Sequence, residues 1–154
     1  MKIKSFLSED CVVATLSATT RDSVLTELAM PLARAVPGVN ASDIQRVLLE
    51  REAMGSTGIG EGFAIPHAKI RGLDRIVAAV GRSVNGISFD AHDGDPVHFF
   101  FVLLSPDNAP GPHLLALARL SKLFKDEDLK PRLNEAKTAH EIYDVIVSED
   151  ERLQ

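Results

Sequence analysis

Residues 56–69 hold three glycines at alternate positions, followed by a short apolar run, a proline and a histidine. Glycine tolerates backbone angles and close approaches that a Cβ would block. Proline fixes its own φ and favours an extended conformation in the residue before it. The segment therefore predicts a tight turn and a short strand that ends at His67, with the backbone amides of Gly58, Gly60 and Gly62 exposed nearby. Amides of glycine-rich turns bind anions elsewhere, so we expect an anion beside this histidine.

Length, charge and cysteine content limit the class of protein. The chain has 154 residues, and we expect residues 1–154 to form a single domain. A net charge of −5 argues against a nucleic-acid partner. The single cysteine, Cys11, excludes an internal disulfide and any CxxC motif. The apolar runs fall far short of the roughly 20 residues that a membrane span needs, so we expect a cytoplasmic protein with no membrane insertion.

Helix and strand signals alternate along the chain, which favours a single α/β sandwich with a mixed sheet. Val97–Leu104 is apolar on both faces and predicts a buried strand, and Ile76–Gly81 predicts a second central strand. Capping-box patterns beginning at Ser42 and Thr138 predict the starts of two helices. A further helix is predicted before Ser42, and it contains Pro31, which we expect to bend or split it.

The turns and the C-terminal tail carry further signals. Asn85–Gly86 and Asp93–Gly94 are turn dipeptides that flank a short Ile87–Phe89 segment. The tail Glu149–Arg152 is acidic, and we expect it to fray.

His67 has the strongest chemical case among the five histidines. A neutral imidazole is a competent nucleophile near pH 7 because its free pKa is about 6.5. To accept a phosphoryl group, one ring nitrogen must be held by a hydrogen-bond acceptor so that the other is free. Donors and a positive charge must also surround the phosphate oxygens. A tight turn with an incidental histidine stays open as the simpler alternative.

His113 is the second candidate. It follows Gly111–Pro112 at the expected N-terminus of a helix, where unpaired amides and the helix dipole favour an anion. His98 lies in the predicted buried strand and is expected to be structural, whereas His92 is expected to be solvated in a turn and His140 has no predicted role.

Other site chemistries fit the sequence less well. The glycine segment lacks the GK[ST] ending of a P-loop and the GxGxxG spacing of a dinucleotide loop. A zinc site built from His67, His113 and an acidic residue stays open on spacing, but the chain has no HExxH motif. A hydrolase with Ser56 as nucleophile would lack the GxSxG elbow. Arg51, taken alone, is most simply a solvated cation at a helix end.

The segment Leu49–His67 resembles the phosphorylation-site region of the IIA components of the bacterial phosphoenolpyruvate-dependent phosphotransferase system, fructose/mannitol class. The sequence of this segment is most similar to that of the nitrogen-related regulatory branch of the family. The resemblance extends to Asp90–Val97, to Leu103–Pro106 and to the helix of His113. The chain departs from many relatives at Glu61 and Ala68.

The resemblance implies an α/β sandwich with helices on both faces of a mixed sheet. It implies that His67 accepts a phosphoryl group from an HPr-like phosphocarrier protein (NPr). It further implies that His113 hydrogen-bonds the phosphate and that Arg51 stabilises the transferring group. The phosphate would also lie against Ser56 and the three glycines of the segment. No metal or other cofactor is implied, since the donor is already a phosphohistidine.

Two functions follow from the resemblance. The first is a regulatory phosphocarrier without independent turnover, which contacts downstream proteins according to its phosphorylation state. The second is a sugar-specific IIA that passes the phosphoryl group to a IIB domain. A binding module that keeps the fold without being phosphorylated is a third possibility, and the presence of His67, His113 and Arg51 argues against it.

Overall fold

Six strands form one mixed sheet within residues 1–153, the part of the chain that this computed structural model describes. The strands are β1 (Leu7–Val13), β2 (Gly58–Gly60), β3 (Phe63–Ala64), β4 (His67–Ile70), β5 (Val77–Ile87) and β6 (Val97–Pro106). They are ordered β1-β5-β6-β3-β2, and β4 also pairs with β6. β6 is antiparallel to β5 and parallel to β3 and β4, so it is the strand around which the sheet is built.

β6 is buried on both faces, as its apolar sequence predicts. Phe101 packs edge-on against Phe124, with ring centroids 4.7 Å apart. Phe100, the preceding residue of β6, points to the opposite face of the sheet. Its ring centroid there lies 5.2 Å from that of Phe89. Apolar surface on both sides of one strand requires cover on both sides, so the sheet forms the middle layer of a sandwich.

Five helices supply that cover. They are α1 (Arg21–Ala35), α2 (Ala41–Ala53), α3 (Pro110–Phe124), α4 (Leu129–Glu135) and α5 (Ala139–Arg152), and a short 3₁₀ turn at Ile3–Ser5 precedes β1. α1 and α2 pack on each other and against β5 and β4, whereas α3, α4 and α5 neighbour one another and reach β6 and β1. The predicted α/β sandwich with a mixed sheet and helices on both faces is confirmed.

The helix starts follow the predicted capping chemistry with one change of residue. Thr138 accepts a hydrogen bond from the Glu141 amide and caps α5, as predicted. α2 begins one residue before Ser42, and its cap is Asn40, whose side chain accepts from the Asp43 amide at 2.8 Å. Of the two effects predicted for Pro31, splitting is wrong, because α1 is continuous and buries this proline, and bending stays a prediction.

Two predicted turns have different outcomes. Gly94 donates to the Ala91 carbonyl at 2.9 Å, which confirms the second turn. Asn85–Gly86 is instead part of β5, and that prediction is wrong. Gly86 has a φ of 84°, and the pairing with β6 shifts between Arg82 and Ile87, so the dipeptide forms a bulge within the strand.

The acidic tail predicted to fray is helical, and its first two residues are buried. Glu149 and Asp150 lie in α5 with side chains that are almost fully covered. The Asp150 carboxylate accepts from Arg119 Nε at 2.5 Å and from the Ile3 amide at 2.8 Å. Because a buried carboxylate is retained only when it is paired, these bonds fix the end of α5 against the N-terminal turn and α3. No helix among residues 1–153 combines the length and apolar character that crossing a membrane would need.

We predict that Asp150→Ala lowers the free energy of unfolding by about 3 kcal/mol, because it removes the carboxylate that neutralises the nearly buried Arg119 guanidinium. Denaturant unfolding followed by circular dichroism measures the change. Asp74→Ala is the control, since this carboxylate is 86% exposed beside Arg75 and should cost less than about 0.5 kcal/mol. Equal stability of the two variants would contradict the assignment of Asp150 as a structural anchor.

Candidate functional site

Two histidines meet at one edge of the sheet. His67 is the first residue of β4 and pairs with Leu103 in the parallel ladder with β6. His113 lies in the first turn of α3, which follows β6 after a short loop. The ring centroids of the two histidines are 5.7 Å apart. The sheet register and the loop after β6 therefore bring together two side chains that are 46 positions apart in sequence.

His67 begins a strand rather than ending one, so that detail of the sequence prediction is wrong. β3 stops at Ala64, and the chain resumes as β4 after Pro66. Proline has no N–H to donate to a ladder, although the Pro66 carbonyl still accepts from the Leu103 amide at 2.9 Å. The interruption places His67 next to a carbonyl of its own chain, that of Ile65.

The ring of His67 is held in one tautomer. Its Nδ1 lies 2.6 Å from the Ile65 carbonyl oxygen. A carbonyl oxygen only accepts hydrogen bonds, so Nδ1 carries the hydrogen and Nε2 keeps a free lone pair. Burial lowers the pKa of His67 and the Arg51 charge lowers it further, whereas the Ile65 hydrogen bond acts in the opposite direction. The ring is therefore neutral near pH 7, which is the state that a nitrogen nucleophile requires.

His113 is buried, and its Nδ1 lies 2.6 Å from the hydroxyl oxygen of Ser105. Burial lowers the pKa of His113, and repulsion from Lys69, and from His67 once that ring is protonated, lowers it further. The second ring is therefore also neutral near pH 7. Sequence reasoning did not identify Ser105, although a hydroxyl at the end of an otherwise apolar strand was a usable signal.

Arg51 and the two histidines line one cavity of about 410 Å³. Its other lining residues are Val47, Glu50, Met54, Ala68 and Lys69. Arg51 lies in the last turn of α2, and its Nη1 donates to the Gly55 carbonyl at 2.9 Å. Glu50 is the acidic residue that lines the cavity, against the cations Arg51 and Lys69. Two neutral imidazoles and two cations at one cavity suit an anion that bears more than one charge.

The loop between α2 and β2 is tied down by a buried carboxylate. Glu52 is 3% exposed and accepts hydrogen bonds from both the amide and the hydroxyl of Thr57. Burial raises the pKa of Glu52, and the two Thr57 hydrogen bonds oppose that rise. These two hydrogen bonds hold Glu52 in place, and Glu52 directly follows Arg51 in α2.

The glycine segment forms the β2–β3 hairpin. Gly62 and Glu61 have φ values of 87° and 58°, and left-handed angles at two adjacent residues are typical of a tight hairpin turn. The side of Gly62 that would carry a Cβ faces His98 and Lys130, and that of Gly60 faces Asp93. The glycines thus permit the turn and its approach to β6, to α4 and to the loop that carries Asp93.

The four residues predicted to contact phosphate are not among the residues that line the cavity. Ser56 donates its hydroxyl to the Phe89 carbonyl at 2.7 Å and accepts from the Gly58 amide at 3.0 Å. Gly60 and Gly62 lie in the hairpin described above. Phosphate binding by Ser56, Gly58, Gly60 and Gly62 stays a prediction.

The remaining histidines and acidic groups lie elsewhere. His98 Nδ1 lies 2.9 Å from the Ser83 carbonyl oxygen near the start of β6. His140 is an exposed residue of α5 that lies between the carboxylates of Glu9 and Asp144. Within residues 1–153, the group of side chains close enough to share a metal ion contains neither His67 nor His113. Its members are Asp126, Asp128 and Glu149, and Arg132 and Arg152 pair with Glu149.

We predict that His67 and His113 titrate below 6.5, the ordinary histidine value, while His140 titrates above it. Burial disfavours the charged form of the first two rings, whereas Glu9 and Asp144 favour the charged form of the third. Two-dimensional NMR of the ring protons against pH gives all three midpoints. A His67 midpoint above that of His140 would contradict the electrostatic description of the cavity.

Comparison with known proteins identifies relatives of this chain. The family described as "Phosphoenolpyruvate-dependent sugar phosphotransferase system, EIIA 2" matches residues 5–149. The nitrogen regulatory protein of Bradyrhizobium diazoefficiens is 36% identical over 146 residues, which is 95% of each chain. The fructose-specific EIIABC component of Bacillus subtilis is 34% identical over 97% of this chain but only 24% of its own length.

Solved structures give the same result. The nitrogen regulatory protein IIA-Ntr from Neisseria meningitidis has a TM-score of 0.87 and 31% identity, covering 94% of this chain and 98% of that one. The mannitol IIA of Escherichia coli shares the fold with a TM-score of 0.75 at 17% identity, over 90% of this chain and 97% of its own. The chain therefore belongs to the EIIA 2 family of the phosphoenolpyruvate-dependent phosphotransferase system.

Proposed function

We propose that the chain is a phosphocarrier that accepts a phosphoryl group on Nε2 of His67 from an HPr-like carrier protein (NPr). The observation that carries the proposal is the hydrogen bond between His67 Nδ1 and the Ile65 carbonyl, which leaves Nε2 with its lone pair. Arg51 and His113 line the same cavity. In this proposal residues 1–154 act as one IIA domain in the cytoplasm.

The transfer needs little covalent chemistry beyond the nucleophile. The Nε2 lone pair of His67 attacks the phosphorus of the carrier's phosphohistidine. The carrier's N–P bond breaks, and its electron pair returns to the carrier's imidazole ring. Positioning and charge stabilisation lower the barrier, and Arg51 and Lys69 supply the positive charge at the cavity. The proposal calls for no metal or nucleotide, since the donor already carries an activated phosphoryl group.

The surface beside the cavity suits a protein donor. Met54 lines the cavity and is 82% exposed. Exposed apolar side chains around a functional cavity are typical of protein–protein contacts. A phosphoryl group there would add nearly two negative charges at pH 7. The phosphorylated and unphosphorylated forms would therefore present different surfaces to a downstream partner.

The nitrogen-related regulatory role is favoured by the relatives named nitrogen regulatory protein, which match this chain over almost its full length. A sugar-specific IIA is the second candidate, and the fructose-specific relative of 34% identity favours it. In that case the acceptor after His67 would be a IIB domain. A solved complex of the Escherichia coli mannitol IIA with its phosphorylated IIB provides the analogy.

We predict that the protein acquires acid-labile phosphate when incubated with phosphoenolpyruvate, enzyme I and either HPr or NPr. His67→Ala should abolish the label, because it removes the nucleophile. His113→Ala should slow labelling by about 100-fold, the usual effect of losing one donor to a developing charge. His140→Ala is the matched control and should label at the unaltered rate, since this exposed histidine lies on α5 between Glu9 and Asp144.

Each result decides one point. Absence of label with both carriers would refute the phosphocarrier function, and a labelled His67→Ala variant would refute the site. Faster labelling by NPr than by HPr supports the regulatory branch. Rapid onward transfer to a fructose- or mannitol-type IIB domain supports the sugar-specific function instead.

A further inference from the structure

Ser105 is a buried polar residue at the end of the central strand. It lies on β6 just before Pro106, with a relative exposure of 0%, and follows a run of apolar side chains. Its hydroxyl oxygen is 2.6 Å from Nδ1 of His113. Among residues 1–153, the Ser105 hydroxyl makes no other hydrogen bond. A buried hydroxyl without a hydrogen-bond partner raises the free energy of the folded state. This contact gives both the Ser105 hydroxyl and Nδ1 of His113 a hydrogen-bond partner.

The direction of the hydrogen bond follows from counting hydrogens. If Nδ1–H of His113 donated to Ser105, the serine hydroxyl hydrogen would be buried without an acceptor. If the hydroxyl donates to Nδ1, no buried hydrogen is left unpaired. A neutral imidazole carries a single N–H. The hydrogen of His113 must then be on Nε2.

We propose that Ser105 is a positioning residue that holds His113 as the Nε2–H tautomer, so that His113 can donate a hydrogen bond to the phosphoryl group on His67. The inference rests on the proposed function for its effect on transfer. The two rings then have complementary tautomers, because Ile65 accepts from Nδ1 of His67 and Ser105 donates to Nδ1 of His113. One ring presents a lone pair for attack, and the other presents a donor. The opposite tautomer of His113 would direct a lone pair at an anion and repel it.

The first test uses the unphosphorylated protein, so it does not depend on phosphoryl transfer. Long-range ¹H–¹⁵N correlation of the histidine rings at pH 8 distinguishes protonated from unprotonated ring nitrogens. We expect His113 to show a protonated Nε2 and an unprotonated Nδ1, and His67 to show the reverse pattern. A protonated Nδ1 on His113 would overturn the proposal.

The second test removes the hydroxyl. In Ser105→Ala, the two His113 ¹⁵N shifts should move towards each other as the tautomers mix, while the His67 shifts stay in place. Labelling from phosphorylated HPr or NPr should slow by roughly three- to tenfold, the size expected for one neutral hydrogen bond. Ser105→Thr keeps the hydroxyl and should restore both readouts.

Ser83→Ala is the matched control. Ser83 is also a buried serine of a central strand, but its hydroxyl accepts from the Gly86 amide. This variant should leave the His113 shifts and the labelling rate unchanged. His113 shifts that are the same in Ser105→Ala as in the native protein would overturn the role of Ser105. If His67 takes no label while the His113 tautomer is as expected, the proposed function fails and the tautomer assignment stands.

Discussion

The site depends on the register between β4 and β6. His67 lies opposite Leu103 and Lys69 lies opposite Ser105 in this parallel pair. β6 then leads through a short loop into α3, which carries His113. A shift of one residue would turn every side chain of a strand to its other face, and would remove the nucleophile from the cavity. β4 opposes such a shift, because it would bury Lys69 and expose Ala68 and Ile70, so the apolar core also maintains the geometry of the site.

Charge and hydrogen bonding then give different roles to the side chains that meet at the cavity. Burial lowers the pKa of both histidines, so two neutral rings lie at a cavity lined by Arg51 and Lys69. An incoming phosphoryl group adds the negative charge that balances these two cations, which the single carboxylate of Glu50 does not do alone. Hydrogen bonds at Nδ1 distinguish the rings, since His67 meets a carbonyl and His113 meets a hydroxyl.

The sequence predicted the sandwich, the buried strand and the convergence of His67 and His113, because apolar runs, capping residues and glycine–proline signals are local. It mistook Asn85–Gly86 for a turn, since a glycine with positive φ serves a bulge as well as a hairpin. It expected a frayed tail, because the partners that bury Asp150 come from Arg119 and Ile3, far away in the chain. Ser105 was missed although His113 is only eight residues further along the chain, because its significance depends on a contact that forms across the loop between β6 and α3.

The most direct test of the proposed phosphoryl transfer is to identify the ring nitrogen that carries the phosphoryl group. Phosphorylation of ¹⁵N-labelled protein, followed by ³¹P and ¹⁵N NMR of the intact phosphoprotein, identifies both the residue and the nitrogen. The hydrogen bond from His67 Nδ1 to Ile65 predicts a single phosphohistidine, bonded through Nε2 of His67. Phosphate on Nδ1 of His67, or on His113, would contradict the account.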